Sequence, residues 1–390
     1  MSAFDGTTAP TLKVQFYFNS AWTNVPTADL RSADIYRGRT RSDQKVDAGQ
    51  LIITLDNRSG DYDPDNLSGP WVSGGVTALR ADLRGRVVAT WNSISYVLYT
   101  GYLETTKLDA GFDATATMTF VDGISVLGRY LAPVLKTASY SGETTSARIG
   151  RMLTYAGWGT GSSWRNLSGS VQLAATTQGN ANLPSPIMQF ISQCEDAEAG
   201  TFYISRDGVA TFVTLVDKFT RPTQLTFDDQ QNTNTVEYDE IDTNPGIYNF
   251  INSALVNFKP KNLKSTQALF KNNASISKYG LKIKSFDTEI LTLATANKLA
   301  QYYATYVKNP KTWCQSIGWD AMTTNAYGDL FPDFLQTELF DLCIVKRKTV
   351  DGRNLTFNLT IEGMRHSITP NSWRCTFYTS PISASRVILP

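Results

Sequence analysis

Three arginines, Arg37, Arg39 and Arg41, alternate in the segment YRGRTRSDQ. In an extended chain, alternation puts their guanidinia on one face, where they could follow phosphates or meet acidic groups. Asp34, Asp43, Asp47 and Asp82 are interleaved with them and with Arg80, Arg84 and Arg86. That mixture favours an ion-pair network or a contact between subunits over nucleic-acid binding. A second charged group, Glu195, Asp196 and Glu198, closes a helical pattern. Paired carboxylates there could serve glycoside hydrolysis, but no cluster of substrate-stacking aromatics adjoins them. Their place at the negative end of a helix points instead to a basic partner surface. These six residues, Arg37, Arg39, Arg41, Glu195, Asp196 and Glu198, are the candidate intersubunit contacts.

Other chemistry finds less support. Asp61, Asp63 and Asp65 have the one-three-five spacing of a calcium loop. Asn66 then replaces the turn glycine, Val72 replaces the bidentate glutamate, and Pro64 interrupts. A solvated turn is expected. No phosphate-cradling glycine motif is present, and Gly157, Gly159 and Gly161 follow a helical pattern rather than open one. The chain has one histidine, His366, with no serine- or cysteine-centred motif pointing to it. It is expected at a strand end or on the surface. Cys194, Cys314, Cys343 and Cys375 are too widely spaced for a zinc site and read as small apolar residues in a reducing compartment. No catalytic residue, metal or cofactor is expected.

Across 390 residues, Lys+Arg number 36 and Asp+Glu 35, a net charge of +1. That excludes a strongly basic nucleic-acid wrapper and an acidic solvating chain. Aromatics reach 12%, which favours strands and interfaces. No stretch approaches the length of a membrane span and no secretion signal is visible, so neither a membrane anchor nor export is expected.

The elements that would position these residues are mostly strands. Val14, Phe16 and Phe18 alternate with polar partners, as do Leu51, Ile53 and Leu55, then Ile94, Tyr96 and Leu98, then Ala114, Ala116, Met118 and Phe120. DYDPDNLSGPWVSGG reads as a long surface loop between the second and third of these. Thr144 or Thr145 caps a helix with face Ile149, Met152, Leu153 and Ala156, stopped by Gly157. Ser185 is expected to cap a second helix, with Pro186 in its first turn and Ile187, Phe190, Ile191 and Cys194 on its face. A hairpin about Asp207-Gly208 follows, and FTRPTQLTFDDQQNTNT reads as a connector. Further on come a strand from Tyr248 to Phe258 and a helix through Leu293, Ala296, Ala300, Tyr303 and Val307. Two strands about Val350-Asp351-Gly352 and a closing strand at Cys375 and Phe377 end the pattern. The fold class is α+β, mostly β. The first part, up to about residue 128, reads as a small barrel or sandwich.

Several of these segments carry a resemblance. DLRSADIYRGRT, AGQLIITLDNRSGDYDPDN and LYTGYLE, with Trp22, resemble the opening domain of phage minor tail proteins. ETTSARIGRMLTYAGW, PIMQFISQCEDAEAGTFYISRDG, SKYG with the helix after it, FDLCIVKRK, IEGMRHSITPNSW and CTFYTSP continue it over most of the chain. The sequence is similar to the tail hub, or baseplate hub, proteins of long-tailed bacteriophages. The resemblance implies two small β-barrel-like domains, 1–130 and 246–390 (the latter with one helix), flanking mixed α+β domains over 131–245, in a structural virion protein without catalytic, metal or cofactor residues. It also implies a homotrimeric ring at the tip of the tail tube. Above it would lie a distal tail or tail tube protein, and below it fibre or tip proteins. The lumen would pass tape measure protein and DNA, with no specific nucleic-acid recognition. Assembly would take place in the host cytoplasm. Two alternatives remain open: a distal tail protein in a sixfold ring, and a carbohydrate-binding or -degrading tail-tip module using Trp71, Trp158 and Trp164.

Overall fold

A computed structural model of the chain describes residues 9–178, 183–230, 232–244, 250–260, 265–306, 308–322 and 329–382. Its N-terminal part has seven main strands: β1 (Thr11–Phe18), β2 (Ala21–Asn24), β3 (Leu30–Gly38), β4 (Asp47–Asp56), β5 (Arg84–Trp91), β6 (Ile94–Leu108) and β7 (Thr115–Val121). Period-two burial sets the register. Leu51, Ile53 and Leu55 face inward opposite Phe120, Met118 and Ala116. The loop between β4 and β5 is not a free surface loop, because Tyr62, Trp71 and Leu79 anchor it in the core. Trp71 packs edge-on to Phe16, ring centroids 5.0 Å apart.

The middle of the chain supplies α1 (Thr145–Tyr155), α2 (Ile187–Glu198), the hairpin β8 (Thr201–Ile204) with β9 (Ala210–Val213), and α3 (Leu215–Thr220). Thr144 caps α1 by accepting from the Ala147 amide, and Gly157 leaves the helix at φ +67°. The expected Ser185 cap of α2 does not form. Ser185 and Pro186 pair as a short strand with Leu131 and Ala132, and the Ile187 amide donates to the Tyr130 carbonyl. Backbone pairing to a distant segment satisfies the donor that a serine hydroxyl would have served. The expected connector after α3 is also structured. It forms β10 (Thr223–Asp228), followed by β11 (Glu240–Asn244).

A three-stranded sheet follows: β12 (Ser253–Phe258), β13 (Thr266–Lys271) and β14 (Ile283–Asp287). Helix α4 (Leu293–Tyr306) packs on it, burying Ala296, Leu299, Ala300 and Tyr302 while Leu293 stays exposed. Tyr248 and Val307, expected in these elements, lie outside the described residues. The chain then adds β15 (Trp313–Asp320), α5 (Phe331–Gln336), β16 (Leu342–Lys348), β17 (Asn354–Thr369) and β18 (Ser372–Pro381).

The two ends of the chain form one sheet rather than two. Its path among the described residues runs β11-β15-β18-β17-β3-β4-β7-β6-β5-β1-β2, with β16 beside β17 and β10 beside β16. The join is the antiparallel pair β3–β17, Gly38 opposite Gly363 through Ala33 opposite Ile368. Adjacent strands lie about 4.8 Å apart, so β7 and β1, three strands apart, would be far separated in a flat sheet. Phe120 and Phe16 nevertheless stack with centroids 5.7 Å apart, so the sheet is strongly curled. No ring of hydrogen bonds closes it into a barrel among the described residues. One core fills this sheet, with Leu51, Phe120, Trp319, Trp373 and Phe377 among its members. A second core joins α1, α2 and the hairpin to β12 and α4, through Ile149, Ile187, Phe190, Val256 and Leu299. The stretch 246–390 therefore contributes to both cores.

Candidate functional site

Where β3 runs out of the sheet, the alternating arginines divide. Arg37 is buried. Its Nη2 lies 2.5 Å from Glu338 Oε1 and also reaches the carbonyl of Ile204. Glu338 accepts from the Arg206 amide at 3.0 Å through its other oxygen. Burial raises the Glu338 carboxyl, but the Arg37 charge and the amides of Arg206 and Leu339 outweigh it and hold the carboxyl below its usual range. This ion pair thus ties β3, the β8–β9 hairpin and the segment after α5 together. Arg39 is buried too. It grips Glu362 of β17 through Nε at 2.8 Å and Nη2 at 2.6 Å, and gives Nη1 to the Gln44 carbonyl. Only Arg41 points outward, pairing with Asp43 in an exposed contact.

At the end of α2, Ala199 adopts a left-handed φ of +47° and turns the chain straight into β8. That turn folds the acidic helix end inward. Glu195 accepts from the Phe202 amide at 2.9 Å. Glu198 accepts from the Thr145 hydroxyl and from the Ser170 amide. Burial pushes both carboxyls above the ordinary range. Asp196 stays exposed and meets Lys45 at 2.5 Å, and the same ammonium lies 3.4 Å from Glu195. The arginine-bearing segment and the acidic helix end therefore meet inside one chain, through Lys45. Of the six candidate contacts, Arg37, Arg39, Glu195 and Glu198 are committed to partners within the fold, while Arg41 and Asp196 remain accessible.

Between these groups opens a cleft of about 660 Å³. The loop from Arg39 to Lys45 forms one wall and the end of α2 another; α4 contributes Tyr302, Tyr303 and Tyr306. Phe286 and Tyr303 stack across the third wall at 3.9 Å, with planes 7° apart. Two residues that sequence reading passed over sit at its base. Glu362 is one: burial raises its carboxyl, but Arg39, Lys218 and the Ser380 hydroxyl at 2.5 Å outweigh that and hold it low. An acid inside the apolar run of β17 was the available signal, since a buried charge requires a partner. Lys218 of α3 is the other. Its Nζ donates to Thr201 Oγ1 at 2.5 Å and lies 4.6 Å from the Phe340 ring centroid. Burial, with Arg39 adding repulsion, pushes the ammonium down to about 7. No sequence pattern distinguishes it from a surface lysine.

The remaining motifs serve structure. Asp61 accepts from Ser59, Asp63 from the Asp65 amide, and Asn66 donates to the Gly60 carbonyl, all turn contacts. Among the described residues no group of three or more acidic, histidine or cysteine side chains is placed to hold a metal. The Gly157–Gly161 loop presents carbonyls, not amides, to its guest: Arg165 donates to Gly159 and Trp158. His366 is a correction. It lies near the C-terminal end of β17, three residues before the last, but is buried rather than on the surface, with Nδ1 accepting from Trp373 Nε1 at 3.3 Å, and burial lowers its pKa to about 3. Trp71 and Trp158 are buried and offer no face to a sugar. The four cysteines are free and buried. No described helix is long and apolar enough to cross a membrane.

This architecture, a curled sheet built from both ends of the chain with a mixed α+β middle, is shared with several solved phage tail proteins. Among solved structures that share it is the tail protein from Neisseria meningitidis MC58, with 12% identity, TM-score 0.62, and 95% of this chain and 96% of that chain covered. The 43 kDa tail protein of prophage MuSo2 from Shewanella oneidensis matches with 8% identity, TM-score 0.61 and coverage of 95% and 98%. Prophage tail protein gp18 from Listeria monocytogenes EGD-e matches with 10% identity, TM-score 0.52 and 95% of each chain. At such identities the likeness establishes a shared fold. No family model and no curated protein matches the sequence.

Proposed function

We propose that this chain is a structural subunit of a phage tail tip, a hub that forms a homotrimeric ring. The ring joins the tube or distal tail ring to tip or fibre proteins, and its lumen is part of the channel for tape measure protein and DNA. The observation that carries the reading is likeness over 95% of the chain to tail proteins of almost the same length. A net charge of +1 suits a conduit, because a strongly basic lumen would hold DNA through its phosphates. The curled terminal sheet serves as the barrel-like wall, and the modules follow one another as 1–130, 131–245 and 246–390. The protein is proposed to act without catalysis and to assemble in the host cytoplasm. In support of this, the single histidine is buried and held neutral, and Glu195 and Glu198 are occupied by backbone and hydroxyl donors. A closed ring of identical subunits needs two different complementary patches. Arg41 and Asp196 are the charged candidates for them.

Cryo-EM of assembled tails tests the proposal. Three copies around the tube axis at the tip are expected. A sixfold ring would move the chain to the distal tail class. A position on a fibre, away from the axis, would overturn the conduit role. Degradation of peptidoglycan or host polysaccharide by purified protein, lost on Glu195→Gln, would overturn the non-enzymatic reading.

A further inference from the structure

We propose that the cleft at the base of α3 receives a carboxylate-bearing segment of a partner polypeptide, with the carboxylate seated on Lys218. The argument begins with an imbalance of donors. An ammonium carries three N–H groups and no acceptor. Lys218 is buried, gives one to Thr201, and has an aromatic face, that of Phe340, on another side. Among the described residues no carboxylate lies within 4 Å of it, although it lines a cleft with two buried acids. Both acids make their direct contacts elsewhere, Glu362 with Arg39 and Ser380, Glu195 with Lys45 and the Phe202 amide, and act on Lys218 only through space. A buried ammonium either loses its charge or is paired, and an anion entering the cleft would supply the pair. Tyr302 and Tyr303 also line the cleft, and each carries a phenolic O–H.

Shape and charge select the kind of anion. The volume, about 660 Å³, exceeds what an inorganic ion fills and suits a few residues of extended chain. Phe286 stacked on Tyr303, with Trp313 and Phe250, gives apolar walls for a peptide backbone and its side chains. Glu195, Asp196 and Glu362 also line the cleft, so a dianionic phosphate would meet more repulsion than a single carboxylate. Protonation adds a signature. The groups acting on Lys218 are Arg39 and Glu362 from the sheet, Glu195 from α2, and Arg221 just beyond α3, with Thr201 bonded from β8. Burial and the two arginines hold its pKa at about 7. An arriving carboxylate favours the charged form, so binding above neutral pH takes up a proton.

The inference leans on the tail reading only in taking the partner to be a neighbouring tail protein. Its test uses no tails, so the two can fail separately. Full-length protein labelled with 13Cε-lysine is titrated with acetyl-Gly-Ser-Glu-Phe-Ser-Gly-amide, the Lys218 signal being assigned through Lys218→Arg. The glutamine twin of the peptide, acetate and inorganic phosphate are the comparisons. The glutamate peptide is expected to move the Lys218 signal saturably and to take up a proton at pH 8. The glutamine twin, and Lys218→Met protein with the glutamate peptide, are expected to bind at least about tenfold more weakly. Tyr303→Phe keeps the ring stack and removes one donor; it is expected to weaken binding several-fold and decides the matter if Lys218→Met does not fold. Equal binding of the two peptides, or an unmoved Lys218 signal, would overturn the proposal. Acetate or phosphate binding as tightly as the peptide would show a simple anion site and overturn it too.

Discussion

Arg39 and Glu362 stand 323 positions apart in the chain, and their charged ends lie 2.6 Å apart beside the β3–β17 pair. This pair sits where the two ends of the chain become one sheet, and both partners are buried. Breaking it from one side strands a buried charge. Arg39→Met is expected to cost about 3–5 kcal/mol, whereas Arg39→Met with Glu362→Met should recover most of the loss, because an apolar pair removes the desolvation cost on both sides. Denaturant unfolding of the two variants beside the parent checks this. An equally damaged double variant would show that the charges themselves hold the junction.

Backbone proximity at the same junction gives a second expectation. Gly38 has φ +92°, and a Cβ built on it would meet the Glu362 carbonyl at 2.3 Å and Gly363 Cα at 2.7 Å. Neither neighbour is a flexible side-chain end. Gly38→Ala should therefore destabilise the protein by more than about 2 kcal/mol, through strain and loss of the β3–β17 register. Gly74→Ala, also at positive φ but with open space around it, separates the conformational part of the cost from the steric part. Thermal unfolding of both variants supplies the comparison.

Lys218 makes stability depend on pH with a definite sign. Its pKa in the folded protein, about 7, lies below the ordinary lysine value. Above pH 7 the unfolded chain holds a proton that the folded chain lacks, so this residue makes stability rise with pH. Buried Cys194 and Cys343, whose thiols burial pushes up, act in the opposite direction once free thiols begin to titrate. The window to measure is therefore about pH 7 to 8.5. Over it, the parent should gain stability relative to Lys218→Met as pH rises, whichever of the two is the more stable at pH 7. A gap independent of pH would mean that Lys218 stays charged in the fold.

Arg41 separates the folding of a subunit from its assembly. Its contact with Asp43 is exposed on both sides, and such pairs are worth about 0–1 kcal/mol. Arg41→Glu should leave thermal unfolding of the isolated protein nearly unchanged. If Arg41 meets a neighbouring subunit, the same change should reduce incorporation into tails, measured as virion yield and as the copy number of this chain in purified tails. Normal incorporation would remove Arg41 from the subunit contact.

Local pattern was legible wherever one short segment decides burial. The alternation of Leu51, Ile53 and Leu55 and the helical spacing of Ile187, Phe190, Ile191 and Cys194 both reappear as buried faces, because those periods follow from backbone geometry alone. The Ser185 cap and the connector after α3 misled for one reason. In each, backbone groups are satisfied from far away: by Leu131 and Ala132 in the first case, and in the second by Leu342–Lys346, parallel to β10. Such pairings leave no trace in the nearby residues.

The charged residues divide in the same way. Sequence alone identified Arg37, Arg39 and Arg41 and the acidic end of α2 as a positive and a negative group in need of partners, since charge and alternation are properties of a few consecutive residues. Only the tertiary structure decided that both groups find most of those partners within one chain. It took the left-handed turn at Ala199, the junction of β3 with β17 and the inward α3 to bring Glu362 to Arg39, Lys45 to Asp196, and Lys218 to the base of the cleft. A charge declares itself in the sequence, but its solvent exposure and its counter-charge are set by segments hundreds of residues away, and those two quantities determine whether it serves the fold, a neighbour or a ligand.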